Sequence, residues 1–193
     1  SGLSRGRFGA PFHGACAVTA AAVQQSSPSS THLRMRIVLV TGLSGSGKSV
    51  AIRLLEDVGY YCVDNLPPPF LLEVCAYLAD TDHKDVALAI DARSETSLVD
   101  VPNMISTLRG FGNDVRVLFL TASDTALVQR FSETRRRHPV SWRTNSQGSE
   151  TTVGEAIAME RELLAPLNEI AHVIDTSGLR PNMLRHWVRE FVD

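Results

Sequence analysis

From residue 35 onward, apolar runs alternate with amphipathic stretches. Residues 36–40 read RIVLV, almost wholly apolar, as a strand covered on both faces of a sheet should be. Residues 48–58 follow with helical spacing and stop at Gly59, a good C-terminal breaker. Residues 60–63 predict a second strand, closed by Asp64 and Asn65. Pro67, Pro68 and Pro69 interrupt the chain, and residues 70–79 predict a short helix, since proline is tolerated in a first turn. Residues 86–90 predict a third strand. A looser helix, capped by Ser94 or Thr96, runs from there to about residue 109, with Pro102 weakening its first half. Residues 115–120 predict a fourth strand, and Ser123 or Asp124 caps a helix to about residue 135. Residues 139–150 are polar and read as a loop. A strong 3.6-residue period marks a helix over 153–170, followed by a short strand at 172–175, a turn at 176–178 and a last helix at 181–192. Five strands alternating with helices predict an α/β fold: a five-stranded, mostly parallel sheet with helices on both faces and right-handed crossovers.

Residues 1–34 break this pattern. They are rich in Ser, Ala and Gly, carry Arg5, Arg7 and Arg34, and contain no acid. We expect a poorly packed leader there, with Met35 as a natural start and the preceding residues a tag or extension; an organelle transit peptide is the alternative. The domain proper is then 35–193. Its 16 basic and 21 acidic residues argue against a domain-wide basic footprint for nucleic acid. No apolar run reaches transmembrane length, so no membrane role is expected. The three cysteines, Cys16, Cys62 and Cys75, form no CxxC pair. An odd, scattered set fits buried thiols in a reducing compartment, hence a cytoplasmic location.

The chemistry enters at the first strand–helix junction. Gly42, Leu43, Ser44, Gly45, Ser46, Gly47, Lys48 and Ser49 fit G-x-x-x-x-G-K-[ST], the phosphate-binding P-loop, in the strand–loop–helix context it requires. Glycines permit close approaches that a Cβ forbids, so successive amides can point inward as a nest for phosphate oxygens. The helix start adds its positive dipole end. Lys48 should reach the β- and γ-phosphates, and the Ser49 hydroxyl should ligate Mg²⁺.

Ligand sites in parallel sheets lie beyond the carboxyl ends of the strands. Asp64 and Asp91 both stand there, where an acid can hold Mg²⁺ or orient a nucleophile. Each could instead be a turn former or a helix cap. Asp175 reads as structural, with its Thr176-Ser177-Gly178 turn able to border a nucleobase. The second informative stretch is RFSETRRRHP, from Arg130 to Pro139. Arg130, Thr134 and Arg137 share one helix face, and an arginine there can stabilise charge on a transferring phosphoryl group. A basic helix end followed by a polar loop is also the pattern of a lid. The bland alternative is favourable charge at a helix C-terminus. Trp142 and Trp187 are expected to be packing residues, and His32, His83 and His186 to be solvated. Glu155, Glu160, Arg161 and Glu162 are expected on the outer side of the long helix.

Three segments together carry a family resemblance: GLSGSGKSVAIRLLEDVGYYCVDNLP at 42–67, IDARS at 90–94, and LFLTASDTALVQRFSETRRRHP at 118–139. They closely resemble the RapZ-type nucleotide-binding proteins, also called RNase adapter proteins. AIAMERELLAPLNEIAHVIDTS at 156–177 extends the likeness, which covers 35–193. The resemblance implies ATP and GTP binding with slow hydrolysis, on a P-loop domain similar to small-molecule kinases. Its second nucleotide segment would fall on Asp91, Ala92, Arg93 and Ser94, with Asp91 and Ser49 on the metal. Some members bind a small RNA and present it to a ribonuclease, largely through a C-terminal domain outside this chain; a homo-oligomer is a further expectation.

Three functions remain in play. The first is a weak regulatory NTPase, with Lys48, Asp64, Asp91, Arg130 and Arg137 as the candidate catalytic residues. The second is a kinase passing the γ-phosphate to a metabolite bound near Asp64. The third is an RNA or protein interaction module with a non-catalytic P-loop.

Overall fold

The structure, a computed structural model, describes residues 34–90, 98–134, 138 and 151–193. Its strands are β1 (Arg36–Gly42), β2 (Tyr61–Leu66), β3 (Asp85–Ile90), β4 (Asp114–Thr121) and β5 (His172–Asp175). Its helices are α1 (Lys48–Asp57), α2 (Leu71–Asp80), α3 (Val101–Gly110), α4 (Asp124–Thr134), α5 (Val153–Glu169) and α6 (Pro181–Val192). The sheet runs β2-β3-β1-β4-β5, and every pairing is parallel.

The strand period of two distributes the core. Ile37 and Leu39 of β1, Val86, Leu88 and Ile90 of β3, and Val115, Val117 and Phe119 of β4 face one side, under α2, α3, α4 and α5. Val38, Val40, Ala87, Ala89, Leu118 and Leu120 face the other, under α1 and α6. The apolar run of β1 is therefore buried on both faces, as its composition predicts. β1 sits at the centre, and the helix that follows it lies on the opposite face from the helix that follows β4. A crevice thus opens at the carboxyl ends of β1 and β4, where chain direction across the sheet reverses.

Several boundaries differ from expectation for local reasons. β2 continues through Asp64 and Asn65 because Leu66, buried, still pairs with Ile90; the ladder slips between Val63 and Leu66, and Asn65 turns to φ 55°. Pro102 lies in the first turn of α3, where its missing N–H is no loss, so it helps to start the helix instead of weakening it. Asp100 stands at the α3 cap position; Ser94 and Thr96 lie outside the described residues. Trp187, expected as a packing residue, is 45% exposed. α6 turns Leu184, Val188 and Val192 inward, and Trp187, one position before Val188, falls about 100° away. His186 is exposed, whereas His83 is half-buried with its ring 4.3 Å from that of Tyr61. Trp142, His32 and Cys16 lie outside the described residues. Burial pushes the Cys75 thiol up to about 12, and burial with nearby Glu56 and Asp64 pushes Cys62 to about 11, so both are inert thiols.

Candidate functional site

The P-loop leaves β1 at Gly42, whose φ of 131° is closed to most side chains. A Cβ there would land on the backbone of Leu120 in β4, so the glycine is required by close approach as well. The Leu43 amide then donates to the Leu120 carbonyl at 3.0 Å, tying the loop to β4. Gly47, at φ 108°, stands at the cap of α1, and no side chain caps that helix start. The first-turn amides of a helix have no intrahelical partners, so α1 presents donors and its positive dipole end to the crevice.

Lys48 is half-buried, and its Nζ donates to the Gly42 carbonyl at 2.6 Å, spanning the loop. Ser49 is exposed on the first turn of α1. The hydroxyls of Thr41 and Ser46 are buried without a hydrogen-bond partner among the described residues. Buried polar groups of this kind are normally satisfied, so these two ask for a water or a ligand oxygen.

Arg130 reaches the loop from α4, but its guanidinium engages protein oxygens. Nη1 donates to the Gly45 carbonyl at 3.0 Å and to the Thr176 hydroxyl at 3.1 Å, and Nη2 to the Thr176 carbonyl at 2.6 Å. The Thr176 hydroxyl, 2% exposed with its residue, lies 2.9 Å from the Ser46 carbonyl and 3.0 Å from the Thr121 carbonyl. P-loop, β4, β5 and α4 are thereby clasped together. Beside the clasp is a cavity of about 290 Å³, lined by Gly45–Gly47, Val50, Arg130, Thr176, Leu179 and Leu184. The turn expected to border a base does line it, through Thr176. Asp175 serves that turn: its carboxylate accepts from the Ser177 hydroxyl and amide, which hold it below the usual carboxylate range.

Asp64 is exposed on the edge strand β2, separated from β1 by β3, and its carboxylate accepts from the Asn65 amide at 2.8 Å. It is at the expected end of the sheet but not against the P-loop cavity. Asp91, Ala92, Arg93, Ser94 and Arg137 lie outside the described residues, as does the loop expected at 139–150.

Glu160 is expected on the outer face of α5 with Glu155, Arg161 and Glu162; those three are exposed, but Glu160 is not. Glu160 is completely buried. Its Oε2 accepts from the Ser44 amide at 2.8 Å and its Oε1 from the Ser44 hydroxyl at 2.7 Å. His138, also fully buried, places Nε2 3.2 Å from Oε2 and its ring 4.9 Å from that of Phe131. Burial pushes the Glu160 carboxyl up, but the His138 imidazole, the Lys48 charge and the Ser44 donors outweigh burial and hold it below the usual carboxylate range. A signal for this was present. Ala156, Ile157, Glu160, Leu164 and Leu167 follow 3–4 spacing, so Glu160 occupies a core position of the helical stripe.

A model of the RapZ-like N-terminal domain matches residues 35–193. A protein of Paraburkholderia phymatum named nucleotide-binding protein is 59% identical over 162 residues, covering 82% of this chain and 54% of the relative. One of Paraburkholderia phytofirmans with the same name is 57% identical over 162 residues, with the same coverage of both chains. The chain thus spans about half the length of these curated relatives. Among solved structures, the Deinococcus radiodurans tunicamycin resistance protein aligns with a TM-score of 0.57 at 15% identity, over 82% of this chain and 96% of that one. Shikimate kinase from Acinetobacter baumannii aligns with a TM-score of 0.54 at 17% identity, over 86% and 97%. Likeness at that identity concerns the fold, a parallel α/β P-loop sheet.

Proposed function

The chain belongs to the family of RapZ-like N-terminal domains, and we propose on that premise that it binds ATP or GTP with Mg²⁺, hydrolyses it slowly and uses the bound state for regulation. The observation that carries this reading is the uncapped start of α1 behind a P-loop already spanned by Lys48, beside a cavity of about 290 Å³. The phosphates lie along the loop amides, where the helix dipole and Lys48 favour negative charge. The base enters the cavity, with Val50, Leu179 and Leu184 as its apolar walls and the Arg130 plane at its side. The relatives' shared name, nucleotide-binding protein, agrees with this reading.

Mg²⁺ needs only one or two protein oxygens when phosphates and waters supply the others. The exposed Ser49 hydroxyl fits that demand, and Asp91 is proposed as its partner through water. The ion, when bound, neutralises charge on the phosphates. Lys48 holds the phosphate chain, and Arg130 steadies the Gly45 carbonyl and so the nest's shape. Arg137 is proposed to approach the terminal phosphate. The family's role toward RNA and a ribonuclease is proposed for the longer protein, not for these residues alone.

Calorimetric titration with ATP, GTP and their non-hydrolysable analogues, with and without Mg²⁺, tests the binding reading; absence of heat for all of them refutes it. Transfer of a labelled γ-phosphate to a metabolite would instead favour a kinase with its acceptor near Asp64, which stands exposed at the carboxyl end of the sheet.

A further inference from the structure

The buried carboxylate behind the P-loop is used by none of the chemistry above. An ionised group inside a protein is retained only with strong partners, since desolvation alone would drive it neutral. Glu160 has three kinds of partner. Two are the amide and hydroxyl of one residue, Ser44, and the third is the imidazole of His138. Glu160 is completely buried, while Gly45, the next loop residue after Ser44, is exposed. The carboxylate therefore lies behind the loop, on the protein side, and does not occupy the place of a phosphate.

This placement has a directional consequence. Ser44 turns both of its donors back toward α5, so its amide is turned away from an anion in the crevice. Glu160 acts as the anchor about which the loop folds. A carboxylate suits this role because each oxygen accepts, so one side chain can take both donors of Ser44 at 2.7–2.8 Å. A glutamine can accept from the Ser44 amide and donate to the Ser44 hydroxyl, but it removes the negative charge that strengthens both contacts and faces Lys48 and His138. Lys48 feels the same negative charge, which helps to keep its ammonium over the loop. His138 extends the arrangement. Its contact with Glu160 places His138 itself at the Ser44 corner of the loop.

We propose that Glu160 is a positioning residue for the phosphate loop, fixing Ser44 through its two donors, and that His138 holds Glu160 in place. The inference rests on the nucleotide reading above.

The test uses the whole chain and measures affinity for ADP and for a non-hydrolysable ATP analogue, together with the amide ¹H–¹⁵N spectrum. In the wild type the Ser44 amide resonance should lie downfield, as a donor to a carboxylate does. In Glu160→Gln it should move upfield, and affinity for both nucleotides should fall roughly tenfold or more, with a cooperative melt retained. Ser44→Ala and His138→Gln should each weaken binding less, and neither should weaken it further in the Glu160→Gln background. Glu160→Gln binding as the wild type does, or an unmoved Ser44 amide, overturns this inference and leaves the nucleotide reading standing. Effects that simply add in the double variants overturn the hold of His138 on Glu160. A wild-type chain that binds neither nucleotide refutes the nucleotide reading itself, and the inference falls with it.

Discussion

Lys48 already donates to the Gly42 carbonyl, so its ammonium is held across the loop. Lys48→Ala removes a charge-assisted contact of about 1.5–3 kcal/mol. Nucleotide Kd should therefore rise roughly ten- to a hundredfold, with the circular dichroism spectrum unchanged; an unaltered Kd would refute the role. Gly42 is the opposite case, where any Cβ meets the Leu120 backbone. Gly42→Ala should lower the melting temperature as well as the affinity, because β4 must move. Glu160 adds a pH dependence. Its carboxyl is held below the usual range in the folded chain, so its contribution is present above the unfolded value of about 4.3 and is lost as pH falls through the folded value. Glu160→Gln should be less stable than wild type by about 1–3 kcal/mol at pH 7, and urea midpoints of the two should converge as pH falls below about 4.3.

At the level of elements, the helix ends are specified by particular side chains. α5 starts in a capping box: the Glu155 amide donates to the Thr152 hydroxyl, and the Thr152 amide donates to the Glu155 carboxylate. Those Thr152 donors hold the Glu155 carboxyl below its ordinary range. α5 carries Glu160, so its start sets where the anchor of the P-loop lies. Thr152→Ala should lower stability by about 1 kcal/mol, seen as a lower thermal midpoint. Nucleotide affinity should fall only slightly, since the contacts of Glu160 lie two turns further on. Arg161 steadies the same helix against β4 and α4, through the Ala122 carbonyl and the Asp124 carboxylate.

Across the whole molecule, one parallel sheet carries both faces of the core, and the phosphate loop hangs from its central strand. Leu88 is completely buried at the middle of β3. Leu88→Ala should cost about 2–5 kcal/mol in urea unfolding without changing any residue of the site. Nucleotide at a hundred times its Kd should return about 2.7 kcal/mol by mass action. The melting temperature of Leu88→Ala should therefore climb with added ATP or GTP, and a flat response would mean that the native chain does not hold nucleotide. Among the described residues no helix is long and apolar enough to cross a membrane.

The sequence by itself determined the alternation of strands and helices and the phosphate loop. It did so because apolar periodicity and glycine spacing are local properties, written over ten or so residues. The bounds of β5 and α6 follow directly from such runs. Tertiary structure decided what depends on partners distant in the chain. β2 reaches Leu66 because Ile90 waits beside it, and Arg130 turns to the Gly45 and Thr176 carbonyls because those elements meet there. Glu160 lies between these cases. Its position on the apolar stripe was legible, but a charge is placed outside by default, since burial without partners is prohibitive. Only the fold brings Ser44, 116 residues away, and His138 to its two oxygens, and those partners make an interior carboxylate stable.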